Sequence, residues 1–375
     1  MRTMNRRRLM ALLCLWLTLP VHAKVDLGQL RLPPGFHIDL YAEGVDNARQ
    51  MARGEGGTLF VGSRRKGQVY AVSDEDGDQR AERVRIVARD LNMPSGVAFR
   101  DGSLYVAAVS RILRYDAIEQ RLDDPPPPVV VTDALPTERH HGWKYLRFGP
   151  DGKLYIPVGV PCNICEREGF GQIRRMDPDG SNMEVYATGV RNSVGLAFHP
   201  ATGALWFTDN GRDMMGDDVP DCELNHAPRA GMHFGFPYCH QGDLPDPQFG
   251  HGRDCADYTA PALRMGPHVA PLGLAFYTGE MFPESYRHQL FVAEHGSWNR
   301  SEKIGYRVKR VRFDPSGQVA GQEVFASGWL QDGDNWGRPN DVLVMPDGAL
   351  LISDDQVGVI YRVSYMPPGE SGRQE

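Results

Sequence analysis

One pattern recurs six times along the 375 residues and limits what the chain can fold into. Each copy is an apolar, β-rich run, a turn centred on Gly or Asp-Gly, and a second apolar run, which is the signature of a β-hairpin. The copies are residues 51–62 (MARGEGGTLFVG), 96–107 (GVAFRDGSLYVA), 145–159 (YLRFGPDGKLYIPVG), 195–209 (GLAFHPATGALWFTD), 273–294 (GLAFYTGEMFPESYRHQLFVAE) and 341–354 (DVLVMPDGALLISD). After most copies a further alternating run follows, at 68–72, 111–115, 172–176, 306–313 and 359–363. The first four copies start roughly 50 residues apart, a spacing suited to propeller blades. Six such units closing radially bury their strand edges. The expected fold is all-β, a six-bladed β-propeller of four-stranded antiparallel blades, with residues 36–41 completing the last blade. A sandwich or two separate β domains is the rival arrangement. The 42 Gly and 28 Pro lie scattered between apolar runs, as turns do, and no Pro/Ser-rich linker divides the chain.

Residues 1–23 carry Arg2, Arg6, Arg7 and Arg8, then an apolar run at 9–19, then Val21, His22 and Ala23. That order reads as a secretory signal peptide cut after Ala23, with 24–375 as a single propeller domain. The apolar run is short for a bilayer span, so stable membrane insertion is not expected. Losing four Arg and no acid takes the formal charge from −7 to −11. So acidic a chain is poorly suited to nucleic acid or anionic membranes. Export also favours disulfides among Cys162, Cys165, Cys222, Cys239 and Cys255. Cys239 and Cys255 bracket a Gly/Pro/Asp loop and are expected to pair. The Cys162-Asn-Ile-Cys165 segment reads as a tight disulfide, a redox pair or half a zinc site, and Cys222 is the odd one out.

No Gly-x-Gly-x-x-Gly between strand and helix, no phosphate-binding loop, no His-Glu-x-x-His and no Gly-x-Ser-x-Gly occurs. Polar residues instead gather at the hairpin ends: His140-His141-Gly142, Arg191-Asn192, Asp209-Asn210-Gly211-Arg212, the run 294–300 (EHGSWNR) and the run 336–341 (WGRPND). Equivalent ends of successive blades converge on one mouth. Its arginines suit carboxylates, and a Trp adds an apolar face, so a planar anionic ligand is expected. A purely structural role is the alternative for each residue taken singly.

With these residues the chain resembles the glucose/sorbosone dehydrogenase family, soluble six-bladed propellers that use pyrroloquinoline quinone (PQQ). The resemblance spans roughly 30–365. It is nearest the sorbosone dehydrogenase branch through 158–166 (VGVPCNICE), 189–198 (GVRNSVGLAF), 266–279 (GPHVAPLGLAFYTG) and 294–300. It implies His141 as the catalytic base, and Arg191 and Asn192 beside the cofactor. It also implies the Gly211 and Arg212 carbonyls on a calcium ion, and Arg338 on cofactor carboxylates. Asn340 stands where the family has a second arginine, Val160 where it has an acid that orients the base, and Gly296 where it has a lysine. Arg300 is a candidate substitute for that lysine, and Trp298 and Asn340 are further cofactor candidates. Asp217, Asp218, Asp221 and Glu223 are candidate partners of calcium or His141.

The chemistry these residues imply is removal of a hydroxyl proton by His141 and hydride acceptance by the quinone, with calcium polarising it and Arg191 offsetting negative charge. His140 is the rival base, and on an extended segment only one of the pair is expected to face the mouth. Asp74, Asp76, Asp78 and Glu82 form a second candidate calcium loop, against a solvated acidic hairpin. A sugar or aldehyde is the expected substrate. With no haem-attachment CxxCH, electrons leave to a separate cytochrome or quinone. Rival functions are a calcium-dependent propeller lactonase and a non-catalytic propeller that binds a partner.

Overall fold

The computed structural model describes residues 25–367. The expected signal peptide lies outside them. Six antiparallel sheets succeed one another along the chain. Blade 1 comprises Ala48–Arg53, Leu59–Ser63, Val69–Ser73 and Arg83–Ala88; blade 2 comprises Gly96–Arg100, Ser103–Ala108, Arg111–Tyr115 and Val129–Thr132. Blade 3 comprises Arg147–Phe148, Leu154–Val158, Gln172–Met176 and Glu184–Thr188, with Met232–His233 added in parallel at its edge. Blade 4 comprises Gly195–Phe198, Leu205–Asp209, Asp221–Ala227 and Leu263–Pro267; blade 5 comprises Pro271–Phe276, Leu290–Glu294, Arg307–Phe313 and Val319–Ala326. Blade 6 takes Pro339–Val344, Leu350–Asp354 and Val359–Tyr365 from the end of the chain and Phe36–Ala42 from its beginning. The expected six-bladed, four-stranded propeller is therefore the fold. Among the described residues the helical segments are short 3-10 turns, and no helix is long and apolar enough to cross a membrane.

The core is a ring of six apolar clusters, each between two neighbouring blades. Strand alternation divides the residues between clusters. In Leu59–Ser63, Leu59 and Val61 pack toward blade 6, while Phe60 packs toward blade 2. A strand covered on both faces has no polar side, which is why the hairpin runs read as continuously apolar.

Near the axis the inner strands crowd together. A Cβ on Gly195 would lie 2.0 Å from the Leu272 carbonyl oxygen, and one on Gly273 would lie 1.9 Å from Asp341 Oδ1. The Gly that opens GLAF is thus set by packing at the axis. Side chains also cross-link the inner strands. Gln50 accepts from the Val97 and Leu146 amides (3.0 and 2.8 Å) and donates to the Leu146 carbonyl. Asp341 accepts from the Met51 amide and the Tyr145 hydroxyl. Burial raises the Asp341 carboxyl to about 6.

The strand Asp221–Ala227 was not expected from sequence, where Asp221 and Glu223 read as candidate partners of calcium or His141. Its polar residues Glu223 and Asn225 are buried inside blade 4, and that polarity masked the apolar pattern. Cys239 pairs with Cys255 as expected, Cys162 pairs with Cys165, and Cys222 is a buried free thiol.

Candidate active site

Loops entering the inner strands and loops leaving the second strands open on one cavity of about 930 Å³. His141, Arg191, Asn192, Gly211, Trp298 and Arg338, all expected at the mouth, line it.

His141 is 6% exposed, with its backbone in the left-handed region at φ 48°. That turn lets both neighbouring histidines line the cavity, with ring centroids 4.0 Å apart. The expectation that only one of them faces the mouth assumed an extended segment and is corrected. His141 Nδ1 lies 2.8 Å from the Val160 carbonyl oxygen. A carbonyl only accepts, so Nδ1 carries the proton and Nε2 of the neutral ring keeps its lone pair. The backbone of Val160 thereby orients His141, a task the resemblance gives to an acid. Burial, then the Arg191 charge, holds the His141 pKa well below the ordinary imidazole value.

All five N–H groups of Arg191 are engaged by protein oxygens. Nε donates to the Asn163 carbonyl (2.8 Å), Nη1 to the Asn210 and Gly211 carbonyls (3.2 and 2.8 Å), and Nη2 to Asn163 Oδ1 and Asp213 (2.8 and 2.9 Å). Asp209, at the end of a blade 4 strand, accepts from the Arg191 and Asn192 amides (2.7 and 2.6 Å). Arg191 thus brings positive charge to the cavity but has no N–H to spare for a ligand.

Arg338 donates to the His295 and Gly296 carbonyls (3.0 and 3.1 Å). Asn340 lies behind the lining: its amide oxygen faces Arg49 Nη1 at 2.6 Å, and Arg49 also pairs with Asp355 at 2.8 Å. Arg300 is outside the cavity lining. Its guanidinium is drawn to the Asp217 carbonyl and the Asp218 carboxylate, so Arg300 does not stand in for the missing lysine. Asp217 also accepts from the Ser301 amide, and Glu223 holds the Gln241 amide and Asn225. None of the four acids proposed as partners of His141 touches it. The Arg212 side chain turns away to the buried Asp246, which His240 also contacts.

The loop residues Asp74, Asp76, Asp78 and Glu82 each present an oxygen within 4.8 Å of the others. Backbone amides of Gly77 and Gln79 already donate to Asp74, and the cluster is largely solvent-exposed.

Several lining residues were missed from the sequence: Arg49, Arg64, Arg65, Arg139 and Trp143. Arg64 and Arg65 leave the second strand of blade 1 as Asn210 and Gly211 leave that of blade 4, so position in the repeat would have found them. The lining carries six arginines against one carboxylate, Asp213.

These residues fit PQQ, a planar tricarboxylate with a ring N–H and a quinone edge. Arg49 and Arg338 offer cations, Asn192 Oδ1 is buried without a partner, and Trp143 and Trp298 supply apolar faces. Calcium fits less well, because the Gly211 carbonyl expected to hold it already accepts from the Arg191 cation.

The chain is 30% identical over 363 residues to an uncharacterized protein of Borreliella burgdorferi, covering 93% of this chain and 94% of that one. It is 25% identical over 254 residues to the aldose sugar dehydrogenase YliI of Escherichia coli, covering 61% of each. The PQQ domain of pyranose dehydrogenase from Coprinopsis cinerea, solved in its holo form, superposes with a TM-score of 0.76 at 20% identity, covering 89% of this chain and 97% of that domain. The family model described as TrAA12-like matches residues 30–366, and the chain belongs to that family, its named relatives including sugar dehydrogenases and a PQQ-dependent pyranose dehydrogenase.

Proposed function

We propose that this chain is a periplasmic or secreted PQQ-dependent dehydrogenase that oxidises an aldose, a sorbosone-like sugar or a related alcohol or aldehyde. The observation that carries the reading is a buried, oriented His141 with its Nε2 lone pair free, on a cavity lined by arginines. The sugar-dehydrogenase relatives support the same class.

Oxidation of a hemiacetal hydroxyl removes one proton and one hydride and leaves a lactone. His141 Nε2 takes the hydroxyl proton, while Nδ1–H stays on the Val160 carbonyl and fixes the ring. Bound PQQ supplies the hydride acceptor, and a separate electron carrier, a cytochrome or quinone, restores it. Arg49, Asn192 and Arg338 hold the cofactor, and the cage around Arg191 keeps a positive charge beside the reacting atoms without a flexible side chain to reorganise. No step is routed through calcium, since two cations would share the Gly211 oxygen. A lactonase would need acids and Asn around a metal, whereas the lining has one carboxylate, already paired with Arg191.

The test is addition of PQQ to the purified protein with an artificial dye. The expected result is saturable quinone binding and sugar-dependent dye reduction. Absence of quinone binding would remove the reading.

A further inference from the structure

The positive charge of the cavity exceeds what its salt bridges neutralise, and Arg338, which forms none among the described residues, is spent on two backbone carbonyls. Arg49 pairs with Asp355 and Arg191 with Asp213. Among the described residues, Arg64, Arg65 and Arg139 form no salt bridge, although all three line the cavity. They come from two loops, the exit from blade 1 and the approach to blade 3. Trp143 sits between these loops and the base. The Arg64 guanidinium lies 3.9 Å from the Trp143 ring centroid, and Trp143 meets the His141 ring at 5.7 Å. Arg64 Nε is buried with no hydrogen-bond partner. Burial and the Arg49, Arg65 and Arg338 charges push the Arg64 pKa down to about 10, against the opposing pull of Asp355, which is itself paired with Arg49. Arg65 and Arg139 are exposed at the rim, where an incoming ligand meets them first.

One exposed guanidinium is satisfied by water. Three from two loops on one cavity wall, one of them against Trp143 with a buried unpaired N–H, carry a repulsion that an anionic ligand relieves. A sugar whose hydroxyl reaches His141 Nε2 sits among these groups, whereas Arg49, Asn192 and Arg338 are taken by the cofactor. Resting on the dehydrogenase reading, we propose that the substrate is an acidic sugar. Its carboxylate or phosphate is received by Arg64, Arg65 and Arg139, and neutral aldoses of the same shape are poor substrates.

The experiment compares matched sugars on the PQQ-loaded protein: glucose with glucuronate, glucose with glucose 6-phosphate, and galactose with galacturonate. At low salt, kcat/KM for an acidic member should exceed that of its neutral partner by about tenfold or more, and the advantage should shrink as salt screens the charges. The uronate and phosphate arms tell which acid group the site takes. The double variant Arg65→Gln/Arg139→Gln should lower the acidic-to-neutral ratio by roughly fivefold. Neutral sugars turned over as well as acidic ones, or a double variant that lowers both members equally, would overturn the proposal. Calorimetric titration of glucuronate and glucose into the loaded protein separates the two readings. Preferential binding of glucuronate without turnover of any sugar refutes the dehydrogenase reading and keeps the anion site. Equal or absent binding of the two refutes the anion site.

Discussion

At the scale of single residues, the site depends on how His141 is held. Its charged form is opposed by burial and by the charges of Arg191, His140 and Arg64. A histidine whose folded pKa is depressed stays neutral as pH falls through its ordinary value of 6.5 and protonates only below it. In the proposed reaction the base form is the active one, so kcat/KM of the loaded enzyme should stay level as pH falls through 6.5 and drop only at lower pH. An acid limb in the pH profile at or above the ordinary imidazole value would show that another group is the base. The place of His141 on the cavity was legible in the sequence, through its position before a hairpin and the family resemblance. Its orienting partner was not, because the partner is a backbone carbonyl and Val160 offers no polar side chain to notice. Arg300 misled for the opposite reason. It is near the mouth in sequence, but Asp217 and Asp218, brought beside it by the fold, draw it away.

At the scale of elements, the Cys162–Cys165 loop acts as a brace for the cavity. The disulfide closes a four-residue turn that presents Asn163. Its side chain accepts from Arg191 Nη2 and the Asp213 amide (2.8 and 2.9 Å) and donates to the Asp213 carbonyl (3.0 Å). Asn163→Ala frees one N–H of Arg191 and loosens Asp213 while leaving the cavity walls in place. Steady-state kinetics should show kcat lowered about tenfold with little change in KM, and Asn163→Asp, which keeps an acceptor for Arg191, should recover most of it. Unchanged kcat in Asn163→Ala would leave the loop a structural staple only. The paired cysteines were readable, but their connection to Arg191 was not, because it joins residues far apart in the chain through a loop conformation that spacing does not encode. The hairpins were readable because both faces of each central strand are buried, and Asp221–Ala227 was not because its buried positions are polar.

At the scale of the whole molecule, a site assembled from all six blades exists only while the ring is closed. Closure rests on Phe36–Ala42 pairing with Val359–Tyr365. Phe36 anchors that strand, with ring centroids 4.8 to 5.0 Å from Phe282, Tyr286, Phe325 and Tyr365. Phe36→Ala should cost about 3–5 kcal/mol, read as a lower melting temperature, while quinone affinity well below the melt stays as in the native protein. A variant with unchanged melting would show that ring closure does not depend on this anchor. The central claim is that His141 is the base of a quinone-linked oxidation, and single-turnover reduction of bound PQQ tests it most directly. Native protein and His141→Ala are each loaded with PQQ, given one addition of an oxidisable sugar, and followed by the quinone absorbance. The account predicts equal quinone binding in both and rapid reduction only in the native protein; reduction at the native rate in His141→Ala would contradict it.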